Sequence, residues 1–173
     1  MIFIDEKVRI SGIVKHSLVD GPGIRCTVFF QGCPHNCPGC HNPDTHAPDG
    51  GTEMDVDDVI QTIRKAKFLD GITLSGGDPF LQPMAVKKIA DAAHQMGLNV
   101  WAYSGWTFEY LISGALGEEV VNALRSVDVL VDGPFVLAEK SDTCIYRGST
   151  NQRLIHVKNS LNQLKIIEIK NGG

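Results

Sequence analysis

Three cysteines stand within eight residues of one another in the segment Gln31–Pro43, QGCPHNCPGCHNP. Three residues separate Cys33 from Cys37, and two separate Cys37 from Cys40, a spacing that metal ligands on a loop adopt. Gly32, Pro34, Pro38 and Gly39 discourage a helix here and favour a backbone wrapped around a bound group. The thiolate is the metal-binding form; free cysteine titrates near about 8.5, and coordination lowers that value. Two chemistries fit. A structural zinc takes four ligands, so His35 or His41 would complete the set. An iron–sulfur cluster is commonly held by four thiolates, and three would leave one iron of a cubane [4Fe–4S] cluster without a protein ligand. An open metal position is what catalysis needs and what a structural site avoids. Spacing alone leaves both open.

The other two cysteines read differently. Cys26 lies in the apolar run CTVFF and reads as a small buried hydrophobe. Cys144, alone in SDTCIYR, reads as an ordinary thiol. Five cysteines suit a disulfide framework poorly, and clustered cysteines in a reducing compartment more often bind metal or do redox chemistry.

The cysteine loop must be held by its neighbours in sequence. Cys26–Gln31 is a β-branched and aromatic strand ending at Gly32. Asp55–Ala66 places Val56, Val59, Ile60 and Ile63 on one helical face. Gly71–Leu74 is a short strand running into Gly76 and Gly77. Val86, Ile89, Ala90, Ala93 and Met96 share a second helical face that Gly97 ends. Asn99–Tyr103 is the next strand, Glu118–Arg125 the next helix, and Val127–Val131 a further strand, with Leu164–Ile169 as the last. This alternation predicts parallel strands joined by right-handed crossovers. Too few repeats are present for a closed eight-fold barrel. The expected fold is α/β, a partial (incomplete) parallel β/α barrel, as a single domain over residues 1–173. Ligands in such folds sit at the C-terminal ends of the strands. The loops QGC, SGGDP, YSGW and VDGP should therefore converge on one site, which favours a catalytic cluster over structural zinc.

Composition limits the alternatives. The chain has 173 residues, 43% hydrophobic and 21% charged, enough for a sizeable core. A formal charge of −4 argues against a nucleic-acid partner. Asp5, Glu6, Lys7 and Arg9 interrupt any signal-peptide pattern, and no window approaches the roughly 18 apolar residues of a membrane helix. The expectation is a cytoplasmic protein with no membrane partner.

The segment VDGPGIRCTVFFQGCPHNCPGCHNPDT (Val19–Thr45) resembles the radical S-adenosylmethionine superfamily, and within it the activating enzymes of glycyl-radical proteins. TLSGGDPFLQP, YSGWTFEYL, VDGPFV and YRGSTNQRLI are similar to blocks of the activating proteins of anaerobic ribonucleoside-triphosphate reductase. The likeness runs from Val19 to Ile155. The chain is shorter than the activators of pyruvate formate-lyase, and the lack of cysteine between Cys40 and Cys144 leaves no inserted cluster domain. Asp78 stands where the superfamily usually has Glu.

The resemblance implies a [4Fe–4S] cluster on Cys33, Cys37 and Cys40, with the fourth iron taking the amino and carboxylate groups of S-adenosyl-L-methionine. Reductive cleavage would give methionine and a 5′-deoxyadenosyl radical, which removes hydrogen from a glycine Cα of the reductase. A flavodoxin- or ferredoxin-like protein would donate the electron. Gly76, Gly77 and Asp78 are expected at the methionine ammonium, and Gly39, Cys40 and His41 along the adenine. Ser104 and Asp132 are expected at ribose or carboxylate. Asp20–Gly23, DGPG, would lie near the partner's glycine loop, Trp106 at a loop mouth, and Arg147 and Arg153 would face acidic groups of the reductase. Two rivals remain: an activator of another glycyl-radical protein such as pyruvate formate-lyase, and a structural zinc or electron-transfer iron–sulfur protein.

Overall fold

The computed structural model describes residues 6–170, which are built around one sheet. Its strands are β1 (Lys7–Ser17), β2 (Arg25–Phe30), β3 (Thr52–Asp55), β4 (Gly71–Gly76), β5 (Asn99–Tyr103), β6 (Val129–Asp132) and β7 (Arg153–His156). Their order across the sheet is β3-β1-β2-β4-β5-β6-β7. The helices are α1 (Val56–Lys65), α2 (Pro83–Gln95), α3 (Phe108–Ile112), α4 (Glu118–Arg125) and α5 (Val157–Gln163).

Strand residues point alternately to the two sides of a sheet, and here the two sides differ in kind. Cys26, Val28 and Phe30 of β2, Ile72 and Leu74 of β4, and Val100 and Ala102 of β5 join one apolar core with the helices. Helix α1 contributes Val56, Val59, Ile60 and Ile63, the face its periodicity predicts. Asp57 and Asp58 in its first turn and Arg64 and Lys65 in its last complement the helix dipole. Helix α2 begins with Pro83, where a missing N–H costs nothing, and Gly97 follows its end at φ +78°. The intervening residues Thr27, Phe29, Thr73, Ser75, Trp101 and Tyr103 face the other side. There Trp101, Val129, Val131 and Leu154 form a small second cluster with Tyr103 and Tyr146.

The architecture is mixed α/β. Strands β2, β4, β5 and β6 are parallel neighbours, as the alternation predicts. The all-parallel expectation fails at the edges: β1 is antiparallel to β2, β3 to β1, and β7 to β6. No crossover helix separates β6 from β7, so the chain returns antiparallel. The sequence reading places no strand at β1, β3 or β7, although in β1 buried Val8 and Ile10 alternate with Lys7 and Arg9. The predicted last strand, 164–169, is instead a tail. Leu164, at φ +53°, caps the end of helix α5, and the tail meets β7 through an isolated bridge between Ile155 and Glu168, with hydrogen bonds from His156 N–H to Ile167 O at 2.8 Å and from Ile169 N–H to Leu154 O at 2.7 Å. Among the described residues, no helix is long and apolar enough to cross a membrane.

Candidate functional site

A cavity of about 620 Å³ opens on the helix-free side of the sheet. Its wall comes from the four loops that follow the parallel strands: Cys33, Cys37 and Cys40 after β2, Gly76 and Gly77 after β4, Ser104 and Gly105 after β5, and Gly133 and Phe135 after β6. Phe29, Ser75 and Tyr103, all inward strand positions, also line it.

The cysteine loop is tied at its base. Gly32 N–H donates to Thr45 O at 2.7 Å and Cys33 N–H to His46 O at 3.2 Å. The buried Gln31 amide donates to Asp44 O and Ala47 O at 3.0 and 2.7 Å. Near its far end Cys40 N–H donates to Cys37 O at 3.1 Å, a turn that Gly39 makes possible with φ +75°. The three cysteines are half-buried and free of disulfides. Burial pushes the Cys33 thiol up; a backbone N–H at His35 opposes this, while Asp78, Cys37 and Cys40 add to it. Three thiol donors on one loop against the cavity suit an iron–sulfur cluster, whose irons are commonly held by thiolates.

The glycine pair lets two loops touch. A Cβ on Gly76 would lie 2.5 Å from Phe30 N and O, and one on Gly77 would overlap the Gly32 carbonyl. These glycines fit the end of β4 against the root of the cysteine loop, and they also form part of the cavity wall.

The remaining predicted residues divide. His41 lines the cavity, its ring 5.0 Å from that of Phe135. Ser104 is in the wall, and its hydroxyl donates to Asp78. Gly39 packs towards Leu137 instead, its would-be Cβ 2.9 Å from that side chain. Asp78 is wholly buried behind the wall, and protein donors surround its carboxylate. Asp132 is likewise buried off the cavity. It accepts from Phe108 N–H at 2.8 Å and from Arg153 Nε and Nη2 at 3.0 and 2.6 Å, so it caps α3 and anchors β7.

Arg153 also donates to both oxygens of Glu109, and these carboxylates hold its guanidinium well above the usual range. It is bound within the chain. Arg147 lines the cavity and donates to Gln152 O at 3.0 Å. The DGPG turn is pinned to the open face: Asp20 accepts from Ser17 and Thr27 hydroxyls, and its carbonyl from Thr73 at 2.7 Å. Buried Arg25 supports the same turn through Pro22 O at 3.1 Å. Cys26 is fully buried on the helix side, and burial raises its thiol to about 11. Cys144 is half-exposed and outside the cavity wall.

Sequence reasoning missed Tyr103, whose hydroxyl donates to Tyr146 O at 2.7 Å across the open face. Strand alternation carried that signal. It also gave His35 a role only as a zinc ligand. Its contact with Asp78, forty-three residues away, has no local signature.

Residues 19–155 match the family described as the 4Fe-4S single cluster domain. The anaerobic ribonucleoside-triphosphate reductase-activating protein of Escherichia coli (strain K12) is 36% identical over 150 residues, 82% of this chain and 94% of that protein. The protein of the same name from Salmonella typhi is 37% identical over the same shares. The pyruvate formate-lyase-activating enzyme of Clostridium pasteurianum is 41% identical over 96 residues, 53% of this chain and 40% of that enzyme. Among solved structures, QueE from Escherichia coli aligns with a TM-score of 0.47 at 14% identity, covering 73% of this chain and 70% of that one.

Proposed function

The chain belongs to the 4Fe-4S single cluster domain family and, within it, to the anaerobic ribonucleoside-triphosphate reductase-activating proteins, and from this membership we propose that it installs a glycyl radical on such a reductase by reductive cleavage of S-adenosylmethionine. The observation that carries the reading is the meeting of three unpaired thiols and a glycine pair in one cavity at the ends of parallel strands. Relatives named for this activity align over most of both chains, whereas the lyase activator aligns over less than half of its own length.

Cys33, Cys37 and Cys40 hold the cluster as thiolates. When bound, the reduced cluster would supply one electron for cleavage of S-adenosylmethionine to methionine and a 5′-deoxyadenosyl group that leaves as 5′-deoxyadenosine with a hydrogen atom from a glycine Cα. The chain itself binds, orients and shields. Gly76 and Gly77 let the end of β4 lie against the root of the cysteine loop, which sets their main-chain groups in the cavity wall beside the methionine moiety. Ser104 and His41 contact the nucleoside from opposite loops. Phe29 and Tyr103 wall the space beneath and limit the water that could quench a radical. The DGPG turn, with Val19 and Asp20 at the rim, is where the partner's glycine segment enters. The helix-free face serves as the inner wall of an incomplete barrel. A flavodoxin- or ferredoxin-like protein, in the cytoplasm, provides the electron.

Low-temperature electron paramagnetic resonance of the anaerobically reduced protein tests this reading. A [4Fe–4S] signal that changes when S-adenosylmethionine is added is the expected result. A zinc-loaded protein without iron or sulfide, or a cluster signal indifferent to S-adenosylmethionine, would overturn it. Hydrogen transfer to the reductase and to pyruvate formate-lyase, assayed side by side, separates the two partner classes.

A further inference from the structure

We propose that Asp78 and His35 are positioning residues that fix the cysteine loop, and that the Asp78 carboxylate does this in place of meeting the cosubstrate. The inference rests on the cluster assignment above. Asp78 is fully buried, and its two oxygens are surrounded by donors of the protein itself. Phe80 N–H reaches Oδ1 at 3.1 Å, and Gly105 N–H and Ser104 Oγ–H each reach Oδ2 at 2.9 Å. His35 Nε2 lies 2.7 Å from the same Oδ2 and, among donors only, is placed to donate as well. A carboxylate so occupied has little left for an incoming ammonium, and Asp78 is absent from the cavity wall that its neighbours Gly76 and Gly77 form.

What the pair joins is more informative than its burial. His35 stands midway between Cys33 and Cys37, where Pro34 and Pro38 can donate no backbone hydrogen bond. Its ring meets Trp106 edge-on at 4.5 Å, and any Cβ on Gly105 would overlap it. The imidazole is thus seated in a slot made by the β5 loop and tethered to the β4 loop. One peg locks three loops together, and it does so between two of the three proposed ligands. Outer groups of this kind orient metal ligands, and their loss typically costs about 10–100-fold in metal affinity or activity. The shorter Asp fits this arrangement because its carboxylate must lie close to the backbone at Phe80 and Gly105.

The test compares full-length wild type, His35→Ala, His35→Gln and Asp78→Asn, each reconstituted anaerobically. Iron and sulfide per chain, the rate of iron release to a ferrous chelator, and the line shape of the reduced cluster are measured. The amide nitrogen of Gln reaches the position of Nε2. We expect His35→Ala and Asp78→Asn to release iron about 10-fold faster or more, with a broadened resonance, and His35→Gln to stay near wild type. Wild-type release rates in His35→Ala, or a His35→Gln protein as labile as His35→Ala, overturn the proposal. If Asp78→Asn does not fold, the His35 pair decides alone. Iron held equally by all variants defeats this inference and leaves the functional reading intact; wild type without iron and sulfide defeats both.

Discussion

The two faces of one sheet make different demands on the same strands. Towards the helices, Val28, Phe30, Ile72, Leu74, Val100, Ala102 and Leu130 form a layer that is fully buried and wholly apolar. Towards the cavity, Arg25, Thr27, Thr73, Ser75 and Tyr103 bring polar atoms into the interior. These groups must find partners, since a buried polar atom without one costs about 1–3 kcal/mol. Arg25 does so at each of its three nitrogens: Thr73 Oγ1, Ile72 O, Asn99 Oδ1 and Pro22 O all accept from it, and Trp101 lies 5.5 Å from its guanidinium carbon. Burial still lowers its guanidinium to about 10. The contrast teaches that along β2, β4 and β5 stability and chemistry are divided by parity. One set of alternate residues is apolar core; of the other set, Phe29, Ser75 and Tyr103 line the cavity, while Arg25, Thr27, Thr73 and Trp101 are buried beside it.

The largest way to sharpen this contrast is at the cysteines. Cys37→Ala removes a proposed cluster ligand on the cavity side and should abolish S-adenosylmethionine cleavage, with iron content falling in parallel. Cys26→Ala, on the helix side, should retain cleavage at least in part. Methionine and 5′-deoxyadenosine release, read by chromatography, checks both, and full activity in Cys37→Ala would falsify the division.

Leu74→Ala probes the other side. It opens a cavity in the helix-facing layer, and a loss of about 2–5 kcal/mol in urea unfolding is expected. Iron bound per folded chain should stay near wild type. A variant of undiminished stability that loses iron would break the parity rule.

The smallest effect lies where β6, β7 and α3 meet. The hydrogen bond from Arg153 holds the Glu109 carboxyl below its usual range, against a burial effect of opposite sign. A depressed native value means the stabilisation is present above the unfolded value of about 4.3 and is lost as pH falls through the native one. Glu109 is mostly exposed, so screening by water keeps the contribution under about 1 kcal/mol. Glu109→Gln should therefore be slightly less stable at neutral pH, and the difference should vanish once Glu109 is protonated. Urea titrations at several pH values measure this, and an undiminished gap in acid would remove the ion pair as its cause.

Much of the site was legible in the chain itself. The spacing of Cys33, Cys37 and Cys40 is local, so no fold is needed to see that one ligand could touch all three. Helices α1, α2 and α4 and strand β5 followed from hydrophobic period, because a face that must be buried leaves a 3.6- or 2-residue mark. That QGC, SGG, YSG and DGP would share one site followed from strand–helix alternation, which sends successive parallel strands the same way.

Only the tertiary structure decided what each polar residue does within that frame. Asp78 follows a glycine pair that lines the cavity, yet its carboxylate turns behind the wall to His35, Ser104 and Gly105. Asp132 ends a strand as a ligand contact would, yet it is taken by Arg153 and the start of α3. The edge strands β1, β3 and β7, and their antiparallel direction, were hidden for the same reason. Period and spacing are properties of neighbours in sequence. Hydrogen-bond partners and strand direction are chosen among groups that the chain brings together from 20 to 45 residues apart, and nothing local records that choice.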